Sequence, residues 1–127
     1  MASKLDGAGI EKLNTIESAR STVQTIHGHV ERMAIEIKAH RGAGVFPQQI
    51  KRIAGPLQGR LKGHFGMVAD LVTGMTLALG RGGSDDVKLR TAREYVGQIR
   101  QALDVAAYKV AAAHTTIDAP AEEPASS

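Results

Sequence analysis

Cysteine is absent from this chain of 127 residues, and so is tryptophan. The first absence excludes disulfides, thiolate nucleophiles and Cys-ligated metals together. It suits a reducing cytoplasm, the compartment expected here. Aromatics are reduced to Phe46, Phe65, Tyr95 and Tyr108. Four rings are too few for a base-stacking platform, and the core must be built from aliphatic side chains and alanine. No long hydrophobic run is present either. Between Phe65 and Leu79 the only charge is Asp70, but fifteen residues diluted by Gly66, Thr73, Gly74 and Thr76 are too few to cross a bilayer. The start, Met1-Ala2-Ser3-Lys4-Leu5-Asp6, has no apolar stretch of the secretory kind.

Metal and catalytic patterns are missing as well. The five histidines form neither a His-Glu-x-x-His element nor paired Glu-x-x-His elements, the spacings that would turn metal ligands onto one helical face. Two pairs, His27 with Glu31 and Glu36 with His40, sit four residues apart and read as boundary or surface groups. No Ser/His/Asp set or paired carboxylates stand out by spacing. The sequence therefore predicts no catalytic residue, no metal and no cofactor.

What the chain does have is apolar periodicity. Leu13, Ile16, Ala19, Val23, Ile26, Val30, Met33 and Ile37 fall on one stripe, and Leu89, Ala92, Val96, Ile99, Leu103, Ala106, Val110 and Ala113 fall on another. A repeat averaging about 3.5 residues keeps one seam facing a neighbour, as in a coiled coil. Asp6 is a suitable cap for a first helix running to about His40, where Arg41-Gly42-Ala43-Gly44 stops it. Gly28 inside that helix costs about 1 kcal/mol relative to alanine and suggests a close helix crossing. A second helical region opens at Pro47, whose missing N–H is harmless in a first turn. Pro56 removes a bond to the Arg52 carbonyl and predicts a kink or restart. Gly80-Arg81-Gly82-Gly83 ends the region. Ser84, followed by Asp85 and Asp86, caps a last long helix reaching about Thr115.

The expected fold is all-α: an antiparallel up-down-up bundle of three long helices, or four if Pro56 breaks the second. Residues 1–117 would form one domain and residues 118–127 a disordered acidic tail. Between Phe65 and Leu79, Met67, Val68, Leu71, Val72, Met75 and Leu77 cannot share one helix face. An all-round apolar helix is normally covered all round, which predicts a homo-oligomer. The stretch Val105-Ala106-Ala107-Tyr108 adds to that excess. Gly55, Gly59 and Gly63 recur every four residues, a spacing that lets another backbone come near. The predicted oligomer interface is Gly55, Gly59, Gly63, Met67, Val68, Leu71, Val72, Met75, Val105 and Tyr108.

Charge is unevenly distributed. From Lys38 to Lys62 there are six basic residues and no acid: Lys38, Arg41, Lys51, Arg52, Arg60 and Lys62. The chain carries a net +3, while residues 118–127 hold three acids and no base. In a three-helix bundle the six would gather at one pole with Lys109 and His114, a field that attracts polyanions such as nucleic acid. His64, within Leu61-Lys62-Gly63-His64-Phe65-Gly66, has the small neighbours and adjacent cation that suit a phosphoryl-accepting histidine.

Three functions follow as expectations. The first is a non-enzymatic, self-associating scaffold or adaptor. The second is a sequence-independent nucleic-acid-binding bundle working through the basic pole. The third is phosphotransfer at His64.

Overall fold

The computed structural model describes residues 3–117. It is a bundle of four helices: α1 (Gly7–Lys38), α2 (Phe46–Leu61), α3 (Gly66–Gly80) and α4 (Asp85–His114). Two three-residue strands, β1 (Ser3–Leu5) and β2 (Thr115–Ile117), pair antiparallel beside the start of α1 and the end of α4. The expected acidic tail, residues 118–127, lies outside the described residues.

Helix boundaries follow local chemistry. The Asp6 carboxylate accepts a hydrogen bond from the Gly9 N–H at 2.7 Å, which caps α1. At the far end His40 adopts φ 61. Its N–H reaches the Ile37 carbonyl while the Arg41 N–H reaches the Glu36 carbonyl. This is a Schellman closure with histidine in the left-handed position usually held by glycine. Ser84 caps α4 by accepting from the Val87 N–H at 3.2 Å, and Asp85 and Asp86 occupy the first turn.

The expected break at Pro56 does not occur. α2 continues through it, because the proline ring and Arg52 both lie on the exposed side, where water can hydrogen-bond the released carbonyl. The chain turns instead at Lys62-Gly63-His64, which corrects the three-helix expectation to four. The expected close crossing at Gly28 is absent too. Gly28 is exposed, and a Cβ there would meet nothing within 4 Å.

α1 and α4 run antiparallel along their whole length. Glu31 faces Arg93, Gln24 faces Arg100, Arg20 faces Asp104 and Asp6 faces His114. Partner numbers fall along α4 as they rise along α1. At one end the Asp85 carboxylate accepts from the Ala43 N–H at 3.1 Å, tying the α1–α2 loop to the start of α4.

α2 and α3 form a shorter hairpin against this pair. Lys51 near the start of α2 lies against Gly80 at the end of α3. Arg60 near the end of α2 donates to Thr22, midway along α1, at 3.1 Å. With 16 and 15 residues against 32 and 30, the hairpin is about 24 Å long beside helices of about 48 Å. The cross-section therefore falls from four helices to two at the hairpin tip.

Apolar side chains hold the four-helix half together. Ile26, Val30 and Met33 of α1 meet Ile50, Leu57 and Leu61 of α2, Val72 and Met75 of α3, and Val96 and Ile99 of α4. Each heptad keeps its middle positions in this core, whereas Leu13 and Ile37 are half-buried and Ala113 is exposed. No polar or charged residue is buried among the described residues.

Candidate functional site

The site is built by the mismatch in helix length. Where the hairpin ends, the turn and first residues of α3 overhang α4. A cleft of about 430 Å³ opens between them. Phe65, Val68 and Val110 form its nearly buried floor. The space exists because Gly66, Ala102 and Ala106 line it with almost no side chain; a Cβ on Gly66 would meet nothing within 4 Å. Larger residues at these three positions would close it.

Among the described residues, every ionisable group lining the cleft is a lysine or a histidine: Lys12, His64, Lys109 and His114. The Lys12 ammonium is 3.0 Å from His114 Nε2, and His114 Nδ1 is 3.3 Å from the Asp6 carboxylate. These contacts fit an imidazole that accepts from Lys12 and donates to Asp6. Asp6 is not a lining residue. Its carboxyl is held below the usual carboxylate range, first by the Gly9 N–H and then by His114 and Lys12.

Beside the cleft lies an apolar flank. Met67 is 78% exposed, Val105 48% and Tyr108 76%. α3 sits between α2 and α4, so its inward side chains are spent on the subunit's own core. Val68, Val72 and Met75, expected at an oligomer interface, are buried there, and Leu71 is half-buried. Those four expectations are corrected to core and core-edge positions, while Met67, Val105 and Tyr108 remain on the surface. Gly55, Gly59 and Gly63 are exposed, and a Cβ added at any of them would meet nothing within 4 Å, so none of the described helices uses their small size.

The six basic residues do not meet at a pole. Lys38 and Arg41 lie at the end of α1, where Arg41 grips Glu36 through two hydrogen bonds of 2.7 and 2.8 Å. Asp85 stands at that same end. Lys51, Arg52 and Arg60 follow α2, and Lys62 lies just past it. At 100° per residue the four spread across the whole outer half of α2, from Lys51 on the α3 edge to Arg60 on the α1 edge, with Gly55 and Gly59 between them. None of the four pairs with a carboxylate among the described residues. Lys109 and His114 lie at the opposite end, because the hairpin reverses the direction of α4 relative to a three-helix bundle. The expected pole is corrected to a strip along α2 and a separate cationic cleft.

His64 is exposed in the turn before α3, and its ring stands edge-on to Phe65 at 6.2 Å. Among the described residues no three histidines or carboxylates converge as metal ligands, and no helix is long and apolar enough to cross a membrane.

Sequence reasoning missed Lys12 and the cleft. Lys12 lies on the edge of the first heptad stripe, and its contact with His114 depends on the antiparallel α1–α4 register. Small residues at 66, 102 and 106 were the only local signal.

Comparison of the chain with family models, with curated proteins and with solved structures finds no match.

Proposed function

We propose that this protein is a non-enzymatic helical scaffold that associates with copies of itself through the flank beside the hairpin tip. One observation carries the reading: the hairpin covers only half of the α1–α4 pair, and Met67, Val105 and Tyr108 are left exposed where it ends. Contiguous exposed apolar side chains next to a structural step are a feature of association surfaces. Tyr108 supplies a large ring with a polar tip, the residue type that anchors such contacts.

Sedimentation equilibrium tests this. The expected result is a dimer or higher oligomer at micromolar concentration. Tyr108→Ser is expected to weaken the association about tenfold, the usual scale for a modest anchor. A monomer at all accessible concentrations overturns the proposal.

A second reading, sequence-independent binding of a polyanion such as nucleic acid, draws support from the α2 strip. Lys51, Arg52, Arg60 and Lys62 carry no carboxylate partner among the described residues, and the glycines between them allow a phosphate backbone to approach closely. Affinity would fall steeply with salt. Arg52→Gln with Lys62→Gln would weaken binding to all sequences alike. Indifference to salt rules this reading out.

A further inference from the structure

We propose that the cleft at the hairpin tip binds a single-chain aliphatic carboxylate. The cleft divides its chemistry between an apolar floor and a cationic rim. Its volume of about 430 Å³ falls within the range of small-molecule sites. The floor of Phe65, Val68 and Val110, widened by Ala102 and Ala106, is apolar. From Val110 back to Ala102 it follows α4 for about 12 Å, the reach of a medium alkyl chain.

The ionisable groups placed around that floor, among the described residues, are two lysines and two histidines. Lys12 uses one ammonium proton toward His114 at 3.0 Å, which leaves two donors for an incoming oxygen. Lys109 is exposed on α4, one position before Val110. His64 stands on the opposite lip, carried by the turn before α3. Asp6, the acid that contacts His114 among the described residues, already accepts from the Gly9 N–H at 2.7 Å and faces the far nitrogen of His114. It does not occupy the cleft. Two lysines with no arginine fork suit a singly charged head better than a phosphate dianion, which is met more effectively by bidentate guanidinium donors. An alkyl chain without a head would leave the ammonium groups unmatched, and a cationic head would meet repulsion from both.

The cleft is complete within one chain, so its occupancy does not depend on the self-association proposed above. Met67 and Val105 belong to both surfaces, whereas Tyr108 lies outside the cleft lining. Tyr108→Ser therefore separates the two proposals. Loss of association with decanoate binding retained leaves the ligand site standing alone.

The test is calorimetric titration of the full chain with decanoate below its micelle concentration. Decanol, decyltrimethylammonium and vesicles of neutral and anionic phospholipid form the comparison arms. The expected result is one decanoate per chain, bound about tenfold more tightly than decanol, with no binding of the ammonium compound. Ala106→Phe fills the cleft and is expected to abolish binding. Lys109→Glu, a surface change that leaves the core untouched, is expected to weaken it by about tenfold, with Lys109→Arg close to the native protein. Circular dichroism confirms that Ala106→Phe is folded. Equal affinity for all three amphiphiles overturns the proposal, as does insensitivity to Lys109→Glu. Binding to vesicles without uptake of free decanoate assigns the surface to a membrane and overturns it too.

Discussion

Gly9 lies directly against His114: a Cβ on Gly9 would stand 2.6 Å from the His114 Cβ. The neighbour is the base of a side chain fixed to helical backbone, so it cannot swing aside. This one contact sets how closely α1 and α4 approach at the two-helix end, and it brings Lys12 within hydrogen-bond distance of the His114 ring.

Gly9→Ala is therefore expected to lose stability even though alanine is the better helix former. Forcing apart the ends of α1 and α4 costs about 1–3 kcal/mol, against about 1 kcal/mol gained from propensity. Chemical denaturation gives the difference directly. A stabilised Gly9→Ala protein would show that the contact is loose. The same variant tests the position of Lys12, because moving α4 away lengthens its hydrogen bond to His114.

Gly28 and Gly97 make the opposite case. Both lie on exposed helix surface with nothing within 4 Å of a Cβ. Alanine at either position adds no clash and restricts the unfolded chain. Each substitution is expected to raise stability by about 0.5–1 kcal/mol. Since the two positions are on different helices and share no partner, the double variant should show the sum. A loss at Gly28 would restore the close crossing that the sequence suggests and the structure lacks.

Pro56 offers a third comparison. It sits eleven residues into α2 and deprives the Arg52 carbonyl of its helical donor. Pro56→Ala restores that bond on an exposed surface. The expected gain is about 1–3 kcal/mol, the propensity difference reduced by the freedom alanine adds to the unfolded chain. Thermal melting checks it. No gain, or a loss, would mean that the proline bends α2 in a way the core under Leu57 and Leu61 requires.

These contrasts show what the sequence makes legible. The heptads at 13–37 and 89–113 identify α1 and α4 and most of their buried residues, because a helix stripe repeats often enough to average out exceptions. Asp6 and Ser84 mark both caps because a short oxygen side chain before an apolar stripe has few other uses. The turn at Lys62-Gly63-His64 is not legible in the same way. Gly55 and Pro56 punctuate the same segment more strongly, yet α2 absorbs them on its solvent side. That one displaced turn halves the second helical rod, reverses α4 and carries Lys109 and His114 away from Lys38 and Arg41. The cleft depends on all three consequences, so the small residues at 66, 102 and 106 do not reveal it by themselves.

Acid should destabilise the fold in a defined window. Glu31 is held below its ordinary value of 4.5, chiefly by hydrogen bonds from Arg93. Arg41 does the same to Glu36, and the Gly9 N–H holds Asp6 below 3.8. In the unfolded chain these carboxylates regain their ordinary values and take up protons first as the pH falls. Their stabilisation is thus complete above about pH 5 and is lost as the pH drops through the lowered folded values. The melting temperature is expected to fall as the pH drops below that point. Glu31→Gln isolates one contribution. Both side chains of the Glu31–Arg93 pair are more than a third exposed, so solvent screening limits its value to about 0.5 kcal/mol near neutral pH. The native and Glu31→Gln proteins should converge in stability as the solution becomes acidic, because protonated glutamate and glutamine then present similar neutral groups to Arg93. A gap between them that stays constant from neutral to acid would show that Glu31 acts through packing rather than through its charge.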